Sequence, residues 1–339
     1  MPEGVLVIGA ANLDVKGRMF AEPIAGTSNS SAIKSSVGGV GRNIAENLVR
    51  LGVPVTLLTA VGDDYAGEDI LNNASDVGVD VSRALIIEHA TTGTYMAAFS
   101  HSGQLFFGMD DLRVLRHITR DYLRLNRDAF RECDLVAMDM NLSDDTLLAA
   151  IQLACEYHKP ICIDPTSAER AWRLRPHLGL LDLITPNIAE AAAILDCPPI
   201  QNSAEALTAA RALVGLGVGA AVITQAERGA CYATADETGQ FPAVQVEIVD
   251  STGAGDALTA ALIFGKLQGI GVAESLQLGL RAAALTLHSP ETVMPDLSLD
   301  RLYGQDDVNV TLEVSAGEEP FEPYDSDTIT YEETDYDEY

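Results

Sequence analysis

Apolar residues are arranged along this chain in two alternating patterns, short unbroken clusters and longer stretches at helical spacing. Gly4–Ala10 (GVLVIGA) is an unbroken apolar run bounded by small residues, the mark of a strand buried on both faces. Val55–Ala60, Leu135–Asp139, Ile161–Asp164, Leu183–Thr185 and Ala220–Thr224 repeat that pattern. Between them, Asn43–Leu51 places Ile44, Leu48 and Leu51 on one helical stripe, and Gly52 supplies a stop. Tyr65–Val77, ended by Gly78, and Asp145–His158, Ala189–Leu195 and Ala204–Val214 also read as helices. Asn202 and Glu205 open the last at capping-box spacing. Strand and helix in alternation predict an α/β fold with a mostly parallel sheet covered by helices. Thr94–Phe99 and Gln104–Gly108, around the turn His101-Ser102-Gly103, form a hairpin pattern outside that alternation. The expected place for it is a small β lid over the strand ends.

Composition changes the picture mainly at the C-terminus. The chain has 339 residues, 47% of them hydrophobic, which suffices for a substantial core. The formal net charge is −29, yet residues 304–339 hold 13 of the 50 acidic side chains and no Lys or Arg. A body of residues 1–303 followed by an acidic tail, expected to be disordered, is the domain organisation this predicts. With no basic stripe, a nucleic-acid partner is not expected. Five scattered cysteines without a CxxC pair fit reduced thiols rather than a disulfide framework or zinc site. Val5–Ala11 is too short for a signal peptide or membrane span, so the expected location is cytoplasmic, without a membrane partner.

The chemistry concentrates at Asp250-Ser251-Thr252-Gly253-Ala254-Gly255-Asp256. Small residues at 253–255 let consecutive backbone amides line one concavity suited to an anion, and the Ala- and Leu-rich stretch after them reads as a helix. The N-terminus of that helix would aim further amides at the same anion. Asp256 in its first turn is placed to take a proton from a hydroxyl. The alternative for the motif alone is an ordinary Gly-rich strand-to-helix turn. No Gly-x-x-x-x-Gly-Lys-Ser/Thr is present, which excludes a P-loop. Gly215-Leu216-Gly217-Val218-Gly219 follows a helix instead of a strand, so it is a helix stop and no dinucleotide fingerprint.

Three further groups qualify as site candidates. Gly38-Gly39-Val40-Gly41-Arg42-Asn43 opens a helix, either as a flexible entry or as a close approach to a ligand whose diol Asn43 would bind. Asn12 and Asp14 lie just past the first strand, where open α/β sheets bind ligands; Asp14 is a hydroxyl acceptor or a turn residue. Asn187 and Glu190 enter a helix at a strand end, Glu190 either as a capping residue or as a carboxylate ordering water around Mg²⁺.

Together these residues resemble the ribokinase-like (PfkB-type) family of sugar and nucleoside kinases. Gly38-Gly39…Asn43 is similar to its N-terminal signature, Asn187-x-x-Glu190 to its N-x-x-E motif and Asp250-x-x-Gly-x-Gly-Asp256 to its C-terminal signature. The resemblance spans about residues 4–303 and implies a three-layer α/β/α fold with a lid from about 12–36 and 91–110. It implies transfer from ATP, with Mg²⁺, to a sugar or nucleoside hydroxyl, with Asp256 as general base and the amides of Gly253, Ala254 and Gly255 as anion hole. Asn12, Asp14, Gly39, Asn43, Thr94 and Asn141 would contact the acceptor. Asn187, Thr224, Gly229, Thr252, Gly253 and Gly255 would contact ATP, with Glu190 near Mg²⁺ and Asp250 beside a monovalent cation such as K⁺. The stretches Thr92–Tyr95, Ser102–Leu105, Met138–Leu142, Asp164–Ser167 and Thr292–Ser298 resemble the branch of the family that phosphorylates pseudouridine on its 5′-hydroxyl. Thr92, Thr94 and Tyr95 would read the uracil ring or serve as plain lid residues. Ribose, fructose and adenosine are the alternative acceptors, and a non-catalytic binding protein is the alternative of another class. The family signature Gly-Gly-Lys-Gly-Ala-Asn has Val40 here in place of lysine, which weighs against ribose. The resemblance also implies a homodimer paired through the lids.

Overall fold

Val5–Ile8 forms β1, and all four of its residues are buried, as an unbroken apolar run requires. The structure is a computed structural model and describes residues 4–103 and 105–304; the acidic tail lies outside them. On one side β1 pairs in parallel with β4 (Val55–Leu58), on the other with β9 (Leu135–Asp139). The parallel sheet continues through β10 (Ile161–Asp164), β11 (Leu183–Ile184) and β12 (Ala220–Thr224). Two antiparallel strands, β13 (Ala230–Thr234) and β14 (Thr238–Phe241), finish that edge. The eight strands run β14-β13-β12-β11-β10-β9-β1-β4. The last pair carries no clear local signal, being short and rich in Ala, Thr and Gly. Tertiary contact holds it, including Tyr232 stacked on Phe241 at 6.2 Å between ring centres.

Alternate side chains of the sheet feed two separate cores. Leu6, Ile8, Val136, Met138, Ile161 and Ile163 face one, where the helices Asp144–Glu156, Ile188–Leu195 and Ser203–Gly215 pack. Val5, Val7, Leu135, Ala137, Cys162 and Val222 face the other, covered by Val40–Arg50, Ala254–Gln268 and Val272–Leu287. Each fully buried Leu or Ile contributes about 1.5–3 kcal/mol relative to exposure, which is why a sheet buried on both faces tolerates few polar residues. The result is the expected three-layer α/β/α arrangement. No helix among the described residues is long and apolar enough to cross a membrane.

Two expectations need correction. The run Val55–Ala60 breaks after Leu58: Ala60–Gly62 is a separate strand, β5, paired with β6 (Leu85–Ile87). The helix expected from Asn43 starts at Val40, so the Gly38-Gly39 pair abuts its first turn directly.

A second sheet stands apart from the main one. It consists of β2 (Asn12–Met19), β3 (Ser31–Gly38), β7 (Thr94–Phe99) and β8 (Leu105–Asp111), in the order β3-β2-β7-β8. Strands β7 and β8 are the antiparallel hairpin foreseen at 94–108, and β2–β3 is a second hairpin that alternation alone did not reveal. Strand β2 leaves the C-terminal end of β1 after only three residues, which places this sheet at the end of the main sheet where Asp139, Asp164 and Thr224 also terminate their strands.

Candidate active site

The helix Ala254–Gln268 begins in a left-handed turn. Gly253 has φ 84°, and a Cβ there would collide with the Thr292 carbonyl, so only glycine fits. Its neighbours Ala254, Gly255 and Asp256 open the helix with amides that have no carbonyl one turn back to bond. Beside Gly255 there is open space: a Cβ there would meet nothing within 4 Å. Asp256 is buried in this first turn, where its Oδ2 accepts a 2.7 Å hydrogen bond from Asn43 Nδ2. That bond joins two motifs 213 residues apart in sequence.

Arg42 sets the direction of the Asn43 amide. Its Nη1 donates to Asn43 Oδ1 at 3.0 Å, which leaves Nδ2 to face Asp256. Arg42 is itself buried, paired with Glu46 one turn along, and bonded to Asn73 and to Thr292 Oγ1. Burial lowers its pKa and Glu46 opposes that effect.

On the second sheet, Asp14 accepts from Asn12 Nδ2 at 2.7 Å. Burial pushes the Asp14 carboxyl up to about 6, against the pull of Lys16 and Asn12. Gly39, at φ 98°, caps the Val40–Arg50 helix, and a Cβ there would collide with the Ala10 carbonyl. Asp139, at the end of β9, accepts from the backbone N–H of Ala10 (2.7 Å), Gly41 (2.9 Å) and Asn141 (2.9 Å). A fully buried carboxylate thus ties the β1–β2 connection and the first turn of the Val40–Arg50 helix to the exit of its own strand, and burial raises its pKa. Thr94 lies in register with Leu13, whereas Tyr95 is the residue opposite Asp14.

The opposite side of the site is built on β11 and β12. Asn187 pairs with Thr224, and Thr224 N donates to Pro186 O at 3.0 Å. Asn187 caps the Ile188–Leu195 helix, and Glu190 Oε2 accepts from Asn187 N at 2.8 Å, so both halves of a capping box are present. Gly229, through its carbonyl, accepts from Gln225 N at 2.8 Å next to Thr224.

Glu190 is more than a cap. Burial and the neighbouring Asp164 push its carboxyl up to about 7. Asp164, at the end of β10, is itself pushed up to about 6 by burial. It accepts from Thr166 N at 2.8 Å and from Thr259 Oγ1 at 3.2 Å, one helical turn beyond Asp256. Asp256 is raised well above the usual carboxylate range, by burial first and then by Asp164, with Asn43 opposing. Asp164 therefore stands electrostatically between Asp256 and Glu190.

Asp250 closes the constellation. Thr252 N donates to its Oδ1 at 2.9 Å, and Lys16 Nζ meets Oδ2 at 2.7 Å. Burial would raise this carboxyl, but those partners outweigh it and the net pKa is lowered.

The fold therefore gathers the candidates around the strand ends in two groups, Asn12, Asp14, Gly39, Asn43 and the 250–256 turn, and Asn187, Thr224, Gly229 and Glu190. Four residues outside the sequence-based set complete the arrangement: Lys16, Arg42, Asp139 and Asp164. A readable signal existed for Asp139 and Asp164, since each is an acidic residue at the last position of an apolar parallel strand. Lys16 and Arg42 offered none.

The sequence pattern of the pfkB family of carbohydrate kinases matches residues 3–297. The chain belongs to that family. It is accordingly an ATP-dependent kinase of sugars or nucleosides with a ribokinase-like fold. Pseudouridine kinase from Escherichia coli (strain K12) is 29% identical over 296 residues, covering 87% of this chain and 94% of its own. Guanosine-inosine kinase from Exiguobacterium acetylicum is 30% identical over 303 residues, covering 88% of this chain and 99% of its own. Arabidopsis thaliana ribokinase complexed with ribose and ATP has a TM-score of 0.76 at 21% identity, over 89% of this chain and 99% of that one. That last likeness is one of fold.

Proposed function

We propose that this pfkB-family kinase phosphorylates the 5′-hydroxyl of a nucleoside, pseudouridine, to give pseudouridine 5′-phosphate and ADP. The observation that carries the mechanism is the Asn43–Asp256 hydrogen bond, which joins the Gly38–Asn43 motif to the 250–256 turn in one buried place. In this reading Asn12, Asp14, Gly39 and Asn43 hold the ribose, with Asn141 at its edge; Thr94, in register with Leu13 and two residues before Met96, leaves the other face of the second sheet, which corrects its expected place at the acceptor. Asp256 accepts the hydroxyl proton as the oxygen attacks the γ-phosphorus; the O–P bond forms and the bridging bond to ADP breaks. Backbone amides of Gly253, Ala254 and Gly255 hold the charge developing on the transferred group, worth on the order of 10²–10³ per donor. Asn187, Thr224, Gly229 and Thr252 hold ATP.

Among the described residues no three His, Cys, Asp or Glu side chains converge to hold a metal. Mg²⁺ would fit as a partner of the ATP phosphates that keeps most of its water, and Glu190 is the residue that would hold it by accepting from one of those waters. Two raised carboxylates, Glu190 and Asp164, so close together favour a cation nearby. Bound there, Mg²⁺ neutralises phosphate charge.

Support for pseudouridine comes from the relative of that name, which this chain covers for 94% of its length, and from the five stretches quoted above. Guanosine-inosine kinase, at 30% identity over 303 residues, favours a purine nucleoside as the second reading. Turnover with MgATP and pseudouridine, uridine, guanosine, inosine, adenosine, ribose and fructose distinguishes them. We expect the highest kcat/KM for pseudouridine, by roughly tenfold or more over the others. A faster purine nucleoside replaces the acceptor, and ATP binding without transfer to any of them supports a non-catalytic protein.

We also propose a homodimer through the second sheet. Its registers put Ile33, Met96, Phe107 and Met109 on one face, each at least 46% exposed, and Asp14, Lys16 and Tyr95 on the other. An apolar outer face on a polar-lined sheet fits a second copy of the chain. Phe107→Asp should shift the sedimenting species from dimer to monomer; a wild-type monomer at micromolar concentration rejects the pairing.

A further inference from the structure

Lys16 lies two residues beyond Asp14 on β2, so both side chains leave the same face of the strand. Its ammonium reaches out of the second sheet to the loop that enters the anion cradle, pairing with Asp250 at 2.7 Å. The pair is largely enclosed, the two side chains being 10% and 18% exposed. The other Asp250 oxygen accepts from Thr252 N, one residue before Gly253. Directly across on β3, Lys34 makes a parallel reach to the neighbouring loop, donating to Pro290 O at 2.5 Å and Glu291 Oε1 at 3.1 Å. That second loop supplies the Thr292 carbonyl that forces glycine at position 253. The two loops that shape the cradle are thus each held by one lysine of the second sheet.

The family resemblance puts a monovalent cation such as K⁺ beside Asp250. The residues present do not fit one. Both carboxylate oxygens are already bonded, and the place a K⁺ would take at Oδ2 is filled by an ammonium of the same charge. We propose that Lys16 is a tethered replacement for that ion, a positioning residue that holds Asp250, and through it the Thr252 amide, in the geometry the cradle needs, so that transfer proceeds without K⁺. The proposal deepens the kinase reading and rests on it.

The test compares turnover with MgATP at constant ionic strength in tetramethylammonium, Na⁺ and K⁺ chloride, for the full chain and for Lys16→Met. We expect wild-type kcat to change by less than about twofold among the three salts. Lys16→Met should lose roughly tenfold or more of kcat in tetramethylammonium, with a smaller change in the acceptor KM, and regain much of it in K⁺. A purely structural lysine would not be rescued by an ion. Thermal melting of the protein without substrates gives a second readout: K⁺ should raise the melting temperature of Lys16→Met selectively and leave wild type unmoved. A wild-type enzyme that needs K⁺, or a Lys16→Met enzyme with full activity in tetramethylammonium, overturns the proposal. If Lys16→Met does not fold, Lys16→Arg and the wild-type salt series decide the matter. Should no nucleoside be turned over, ribose or fructose replaces it in the comparison; the acceptor reading then fails while the cation result stands.

Discussion

In the proposed reaction Asp256 is asked to be both buried and ionised at the moment it takes a proton, and its neighbours set how that conflict is resolved. Burial and Asp164 hold its pKa up, while Asn43 stabilises the charged form. A base tuned upward is a better proton acceptor near neutrality than an ordinary exposed aspartate. Asp256→Asn should lower kcat by about 10²–10⁴ with ATP affinity retained, measured by steady-state turnover and nucleotide binding. Asp164→Asn removes a charge that raises Asp256, so the acidic limb of the kcat/KM profile should move to lower pH. A limb that stays in place or moves upward would show that Asp164 does not tune the base. The Asn43 contact was foreseeable only as a polar residue in a glycine-rich motif; that its amide meets Asp256 follows from Arg42, whose guanidinium takes the other end.

At the scale of elements, the turn before the Ala254–Gln268 helix separates conformational from functional roles for glycine. Gly253→Ala forces a side chain into a left-handed position against the Thr292 carbonyl, and should destabilise by about 2 kcal/mol or more on denaturant unfolding. Gly255→Ala meets no atom and improves helix propensity, so it should stabilise by about 0.5–1 kcal/mol. On the proposed reading the added methyl group competes with the transferred phosphoryl group for that open space, and kcat/KM should fall despite the gain in stability. Equal activity in wild type and Gly255→Ala would remove that glycine from the anion site. Elements with a strong periodic signal lie where the sequence puts them, as at Leu135–Asp139, Ile161–Asp164 and Ala220–Thr224. The second hairpin, Asn12–Gly38, was not legible from the apolar pattern, because β3 is almost wholly polar or exposed and owes its shape to pairing with β2; only the family resemblance put its segment in the lid.

For the molecule as a whole, the buried carboxylates at the strand ends cost stability. Glu190 at about 7 and Asp14 and Asp164 at about 6 all lie above their values in an unfolded chain. The native state thus binds more protons than the unfolded one between about pH 4.5 and 7, and stability falls as pH rises through that window. The melting temperature of the protein without ligands should be higher near pH 6 than near pH 8, and MgATP should narrow the difference by placing a cation beside Glu190 and Asp164. A melting temperature that rises steadily from pH 6 to 8 would contradict these shifts. The alternation of the buried parallel strands with their helices, the glycine turn and the acidic residues that end two of those strands were determined by the sequence alone, because each depends on neighbours a few positions away. Which side chains share a hydrogen bond was decided by tertiary structure. Asn43 with Asp256, Lys16 with Asp250 and Asp139 with the amides of Ala10 and Gly41 are separated by 98 to 234 positions, and only the twist and stacking of the sheet bring their polar atoms within bonding distance.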